Sequence, residues 1–215
     1  LYEGVTLKGK GSVGLITYLR TDSTRISEEA DASCREYIAQ QYGEQFVGDK
    51  TAVKSSKTGK IQDAHEAIRP TDSSLSPAML KEQLPRDLFR LYQLIWTRFL
   101  ASRMAEAVYE TTSVKIGAGD YRFNVAASKV KFDGFMTVYS YDSEKSTMNA
   151  AMKKITKDTE ITLSGLDPQQ HFTQPPAHFT EASLVKTLEE LGIGRPSTYA
   201  PTITTLLARR YIVKE

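Results

Sequence analysis

The 215-residue chain is 40% hydrophobic and 25% charged, and its 28 Lys and Arg against 26 Asp and Glu leave a formal net charge of +2. No stretch approaches the ~20 apolar residues of a membrane-spanning helix, and the start does not read as a secretory leader. A single cysteine, Cys34, excludes an internal disulfide and a cysteine-built metal site, and a reducing, cytoplasmic setting is expected.

The chain opens on "LYEG", where Gly4 reads as the C-cap of a helix upstream of residue 1, and it stops inside "YIVKE". It is therefore expected to be a fragment. Residues 13–19 are apolar and β-branched and read as a buried strand. Ser27 caps a helix with Glu28 and Glu29 in its first turn, where carboxylates favour the helix dipole. Ala30, Cys34 and Ile38 share one face of it, and Gly43 closes it. Residues 48–60, lysine-rich and polar, read as a loop. A short helix, "QDAHEAIR", is cut off by Pro70, and Ser76-Pro77 starts another with proline at the first helical position. The strongest periodicity runs over 86–107, where Leu88, Leu91, Tyr92, Ile95, Trp96, Phe99, Leu100 and Met104 form a helical stripe.

At Val108 the period changes. Residues 108–140 are β-rich with a turn at 118–120, and "TEITLSGL" (159–166) reads as another strand. "TQPPAHF" is an extended link. Thr180 then caps a helix that Gly192 ends, "GIGR" makes a tight turn, and a second helix leads into a β-like end, a layout like a winged helix or helix-turn-helix. The fold class expected is α+β: a mostly helical domain over 1–107, an antiparallel β region over 108–173, and the start of a helical, winged-helix-like segment over 174–215.

Three clusters carry candidate chemistry. In "GLITYLRTDST" (14–24), Tyr18 is either a half-buried packing residue or a nucleophile. A nucleophilic tyrosine must lose its proton beside a cation that offsets charge on a phosphate. Arg20, two residues on, shares a face with Tyr18 in an extended segment, and its planar fork suits phosphate. In "DAHEAIRPT" (63–71), His65 and Arg69 stand four apart on one helix face and can hold a phosphate together, or simply be solvated. Arg69 occupies the position of the second histidine of a zinc-protease motif, which excludes that motif. In "GIGRPSTYAPTI" (192–203), Arg195 and Ser197 stand at a helix start, a ready anion site or a plain capped corner. No compact acidic cluster for magnesium, no nucleophile elbow and no dinucleotide fingerprint is found.

In this order, "GLITYLRTDST", "DAHEAIRPTD" and "PPAHFTEASLVKTLEELGIGRPSTYAPTI" strongly resemble the motifs of the type IA DNA topoisomerases, in their bacterial topoisomerase I branch. The resemblance extends over nearly the whole chain and is weakest over 108–172. It implies that Tyr18 is the covalent tyrosine, that Arg20 assists cleavage, that His65 contacts DNA phosphate, and that Arg195 lines a nucleotide pocket. Thr180, Glu181 and Ser197 match neighbouring DNA-binding positions. It also implies single-stranded and negatively supercoiled DNA as substrates of a monomeric enzyme. Magnesium would be held by an acidic Toprim domain outside these residues, so this piece alone would be inactive. Tyrosine recombinases also combine Tyr, Arg and His, but they place the tyrosine after the arginines. A non-catalytic winged-helix DNA-binding module accounts for 175–215 alone.

Overall fold

The strong stripe forms α3 (Arg86–Ala101), which buries Tyr92, Trp96, Phe99 and Leu100. Aromatic side chains with polar tips are buried only when those tips find acceptors. Tyr92 donates its hydroxyl to the Leu75 carbonyl at 2.7 Å, and Trp96 donates its indole N–H to the Ser73 carbonyl at 3.0 Å. α1 (Glu28–Tyr42) packs on the same core through Cys34 and Ile38, both fully buried. The Ser27 hydroxyl accepts the Ala30 N–H at 3.3 Å at its start, and Gly43, at φ +105, ends it. α2 is the short turn Pro77–Leu80, with proline at its start. The structure, a computed structural model, describes residues 1–21, 23–49, 66–140, 155–157 and 159–214, which fall into two units, Leu1–Ile155 and Thr156–Glu215.

α3 stops at Ala101 rather than continuing to 107. The next backbone groups are taken by residues 46–48: Gly48 donates to the Arg103 carbonyl at 2.9 Å, and Ala105 donates to the Phe46 carbonyl at 2.8 Å. Leu91, assigned to the core stripe by its spacing, lies on the solvent edge at 46% exposure.

β1 (Val5–Leu7) and β2 (Gly11–Val13) form a small antiparallel hairpin, Val5 opposite Val13. The strand expected over 13–19 is thus mostly absent: past Val13 the backbone makes one isolated bridge, Ile16 to Pro70. Leu15 and Ile16 are nonetheless core residues. The β region is a long two-stranded ribbon, β3 (Val108–Ala118) with β4 (Tyr121–Phe132), and the turn falls at Gly119-Asp120 as the sequence indicates. Both of its faces are largely exposed. Gly134, at φ +50, brings the chain so close to α3's exit that a Cβ there would lie 2.5 Å from the Ala105 carbonyl oxygen.

The second unit holds α4 (Glu181–Glu190) and α5 (Pro196–Ala208), separated by Gly192 and Gly194 at φ +70 and +81. Left-handed backbone of this kind favours glycine. Residues 159–166 and 211–214, both expected to be strands, join no ladder among the described residues. Their alternating apolar pattern meets no neighbouring strand among the described residues, and a strand alone has unpaired backbone groups. Ile203 is the one buried hydrophobic among the described residues of this unit. Helices with small antiparallel sheets make the described chain α+β.

Candidate active-site segment

The first two motifs are stitched together side by side. Thr17 donates its backbone N–H to the Arg69 carbonyl at 2.9 Å, and Thr71 donates to the Leu15 carbonyl at 3.1 Å. The Thr71 hydroxyl adds a bond to the Gly14 carbonyl at 2.7 Å. The Thr17 hydroxyl does most. It donates to the Ala67 carbonyl at 2.8 Å and accepts the Arg69 N–H at 2.9 Å. Ala67 in turn donates to the Arg25 carbonyl at 2.8 Å. Segments far apart in sequence are thus held edge to edge, with Leu15, Ile16 and Pro70 buried beneath.

Directly after this stitch the chain leaves the core. Tyr18 is 56% exposed, and its ring meets that of Tyr2 edge-on at 5.3 Å between centroids. Arg20 donates its N–H back to the Tyr18 carbonyl at 2.8 Å, closing a three-residue turn around Leu19. The extended geometry expected for residues 18–20 is therefore not found, and Arg20 is placed by a turn rather than by strand alternation. Ser23 goes back inside and its hydroxyl accepts the Arg25 N–H at 3.2 Å.

Residues 66–69 are not helical, which corrects the short helix expected there. Their backbone groups are spent on Thr17 and Arg25, and Pro70 has no N–H to offer. His65 lies outside the described residues, so the shared helix face proposed for it and Arg69 is not described either. Arg69 is 13% exposed and turned inward: Nε and Nη2 donate to one Glu66 carboxylate oxygen at 3.0 and 2.7 Å, and Nη1 donates to the Pro70 carbonyl at 3.0 Å.

A second charged group ties α1 to the exit of α3. Asp31 accepts from Arg35 Nε at 2.6 Å and from Arg103 Nη1 at 3.0 Å, while Arg35 Nη1 donates to the Gly48 carbonyl. Burial pushes the Asp31 carboxyl up, but hydrogen bonds and charge from the two guanidiniums outweigh it and hold it below the ordinary carboxylate range. Cys34, beside this group, has its thiol pushed up to about 11, chiefly by burial, which leaves it unreactive.

In the second unit, Thr180 and Ser183 form a reciprocal cap at the start of α4: Ser183 donates its N–H to the Thr180 hydroxyl at 3.1 Å, and Thr180 donates its own to the Ser183 hydroxyl at 2.8 Å. Glu181 accepts from Lys214 Nζ at 2.7 Å, which holds its carboxyl below the usual range. Thr180, Glu181, His178 and Lys214 border a groove of about 550 Å³ floored by Leu184, Ile203 and Leu207. Arg195 and Ser197 are exposed at the other helix start and do not line that groove. The Arg195 backbone N–H donates to the Thr198 hydroxyl at 2.8 Å, which caps the start of α5.

The spacing of the motifs did not single out Thr17, Glu66 or Tyr2. A hydroxyl residue interrupting the apolar run "GLITY", and an acid three residues before Arg69, were the signals available.

Among the described residues no group of three or more His, Cys, Asp or Glu side chains is placed to hold a metal ion. No helix among them is long and apolar enough to cross a membrane. The family model for DNA topoisomerase matches residues 1–215. A solved structure of full-length topoisomerase I from Thermotoga maritima is 38% identical and superposes with a TM-score of 0.74 over 100% of this chain. The chain spans 34% of that protein. On the family match over residues 1–215, and on a likeness of fold and sequence that spans the whole of this chain, it belongs to the DNA topoisomerases, in the bacterial type IA group.

Proposed function

We propose that this chain supplies the nucleophile and part of the DNA-holding surface of an enzyme that relaxes negatively supercoiled DNA without ATP. The observation that carries it is the placement of Tyr18, an exposed phenol immediately after a rigid seam between two motifs. In the reaction the Tyr18 oxygen attacks a phosphodiester of single-stranded DNA. A bond from phosphorus to the tyrosine oxygen forms, the bond to the 3′ oxygen breaks, and the phenolic proton is lost while the departing oxygen gains one. The 5′-phosphotyrosine link keeps the energy of the original bond, and the free 3′-hydroxyl reseals it by the reverse attack. Arg20 offsets charge on the phosphate oxygens during both steps.

Strand passage between cleavage and resealing belongs to the whole enzyme, of which this chain matches a third in the Thermotoga relative. Type IA enzymes depend on magnesium, which polarises the phosphate; here the ion would be held outside the described residues. His65, Arg195, Ser197, Thr180 and Glu181 serve DNA binding in this reading. Arg69 joins them with the two N–H donors left over, three of its five being held by Glu66 and the Pro70 carbonyl. The enzyme works as a cytoplasmic monomer, and these 215 residues alone do not relax DNA.

The helix–glycine turn–helix of 181–208 favours a second reading, a non-catalytic DNA-binding module. The two separate on one experiment. The full-length enzyme and its Tyr18→Phe variant are mixed with a single-stranded oligonucleotide and resolved under denaturing conditions. The parent is expected to carry covalent DNA, and the variant to bind the oligonucleotide about equally well with no adduct. Absence of adduct in the parent supports the binding module, and adduct in the variant moves the nucleophile elsewhere.

A further inference from the structure

We propose that Tyr2 is a positioning residue for the nucleophile, its ring fixing the direction from which the Tyr18 phenol approaches phosphorus. The inference rests on the reading of Tyr18 as the attacking group. An exposed aromatic at the start of a tight turn has several staggered side-chain orientations open to it, and in-line attack uses only one. The Tyr2 ring stands at 67° to that of Tyr18 with centroids 5.3 Å apart, an edge-to-face arrangement that favours one orientation.

Tyr2 is itself held in place by backbone. The Leu1 carbonyl accepts the Leu15 N–H at 2.7 Å, which lays the start of the chain along the segment leading to Tyr18. Gly14 makes this approach possible: a Cβ there would lie 2.8 Å from the Tyr2 carbonyl oxygen, inside contact distance. A glycine, a carbonyl and two rings thus connect the seam to the attacking oxygen. The contact is between rings, so the Tyr2 hydroxyl is dispensable. This distinguishes Tyr2 from an acid, a base or a phosphate ligand.

The test uses full-length enzyme carrying Tyr2→Ala, Tyr2→Leu, Tyr2→Phe or Gly14→Ala, with Tyr18→Phe as reference. Three quantities are read: the single-turnover rate of covalent adduct formation, oligonucleotide affinity, and the thermal unfolding midpoint. Tyr2→Ala and Tyr2→Leu are expected to slow adduct formation by about three- to tenfold with affinity within about twofold, the size of an edge-to-face pair. Tyr2→Phe should react like the parent, and Gly14→Ala should resemble Tyr2→Ala. Parent-like rates in Tyr2→Leu and Tyr2→Ala overturn the proposal. So does a Tyr2→Phe as slow as Tyr2→Ala, or a fall in rate matched by equal falls in affinity and unfolding midpoint. Adduct formed by Tyr18→Phe would remove the nucleophile assignment itself, a failure distinct from all of these.

Discussion

Replacing Thr17 by valine keeps the shape of the side chain and removes the hydroxyl that joins the two motifs. Two bonds of good length are lost, to the Ala67 carbonyl at 2.8 Å and from the Arg69 N–H at 2.9 Å. The approach to the Arg69 carbonyl at 3.5 Å is too long to count. Each lost bond is worth about 1 kcal/mol net, and leaving a half-buried N–H and carbonyl unpaired costs about 1 kcal/mol more. A total of about 2–3 kcal/mol corresponds to roughly 30- to 150-fold in the local opening equilibrium. Hydrogen exchange at the Arg69 amide reads this directly, since that N–H is bonded to the Thr17 hydroxyl. The backbone bonds of Thr17 to Arg69 and Thr71 to Leu15 remain, so exchange elsewhere in the first unit should change little. Thr17→Ser restores the hydroxyl and should restore protection. Unaltered exchange at Arg69 in the valine variant would refute the reasoning, as would a serine variant that exchanges as fast as the valine one.

Asp31→Asn should destabilise the first unit by about 3 kcal/mol, because two buried guanidiniums lose their counter-charge; urea unfolding followed by the fluorescence of Trp96 measures it. The folded-state pKa of Asp31 is depressed, so its contribution is complete above the unfolded value of about 3.9 and is lost as pH falls through the folded value. The parent should therefore lose stability below about pH 4 by a component that Asp31→Asn lacks, and parallel pH curves would contradict this. Arg195→Ala should weaken single-stranded DNA binding by about 1–2 kcal/mol and lower its salt dependence by roughly one unit of slope, about equally for all sequences. An oligonucleotide titration against salt checks it; altered sequence preference with an unchanged slope would mean that Arg195 reads bases.

Helices were legible where periodicity and caps agreed. Ser27 and Gly43 bound α1, Ser76-Pro77 opens α2, and Thr180 caps α4 as their residue types indicate. The ribbon turn at Gly119-Asp120 was equally plain. What failed depended on partners distant in sequence. The apolar run before Tyr18 looks like a strand, yet its backbone bonds go to Leu1, Arg69 and Thr71, in a pattern no local rule foresees. The helix expected through Arg69 is lost to the same pairing. Residues 159–166 have the alternation of a strand and join no ladder among the described residues. For the site, chemistry-bearing residue types were visible in the motifs, but what holds them was not. Thr17 is an unremarkable hydroxyl until its fold-level partners are known, and the ion pair that orients Arg69 through Glu66 is equally invisible in the motif spacing.

Two backbone bonds, one at the exit of α3 and one beside the seam, fix both ends of an intervening stretch. Gly48 is bonded to Arg103 on one side, and Ala67 is bonded to Arg25 on the other. Closing a chain between two fixed points carries an entropic penalty that grows only with the logarithm of its length, about 0.6 kcal/mol per doubling. Added length between these anchors therefore weakens the seam little, whereas one misplaced hydroxyl within it is felt in full.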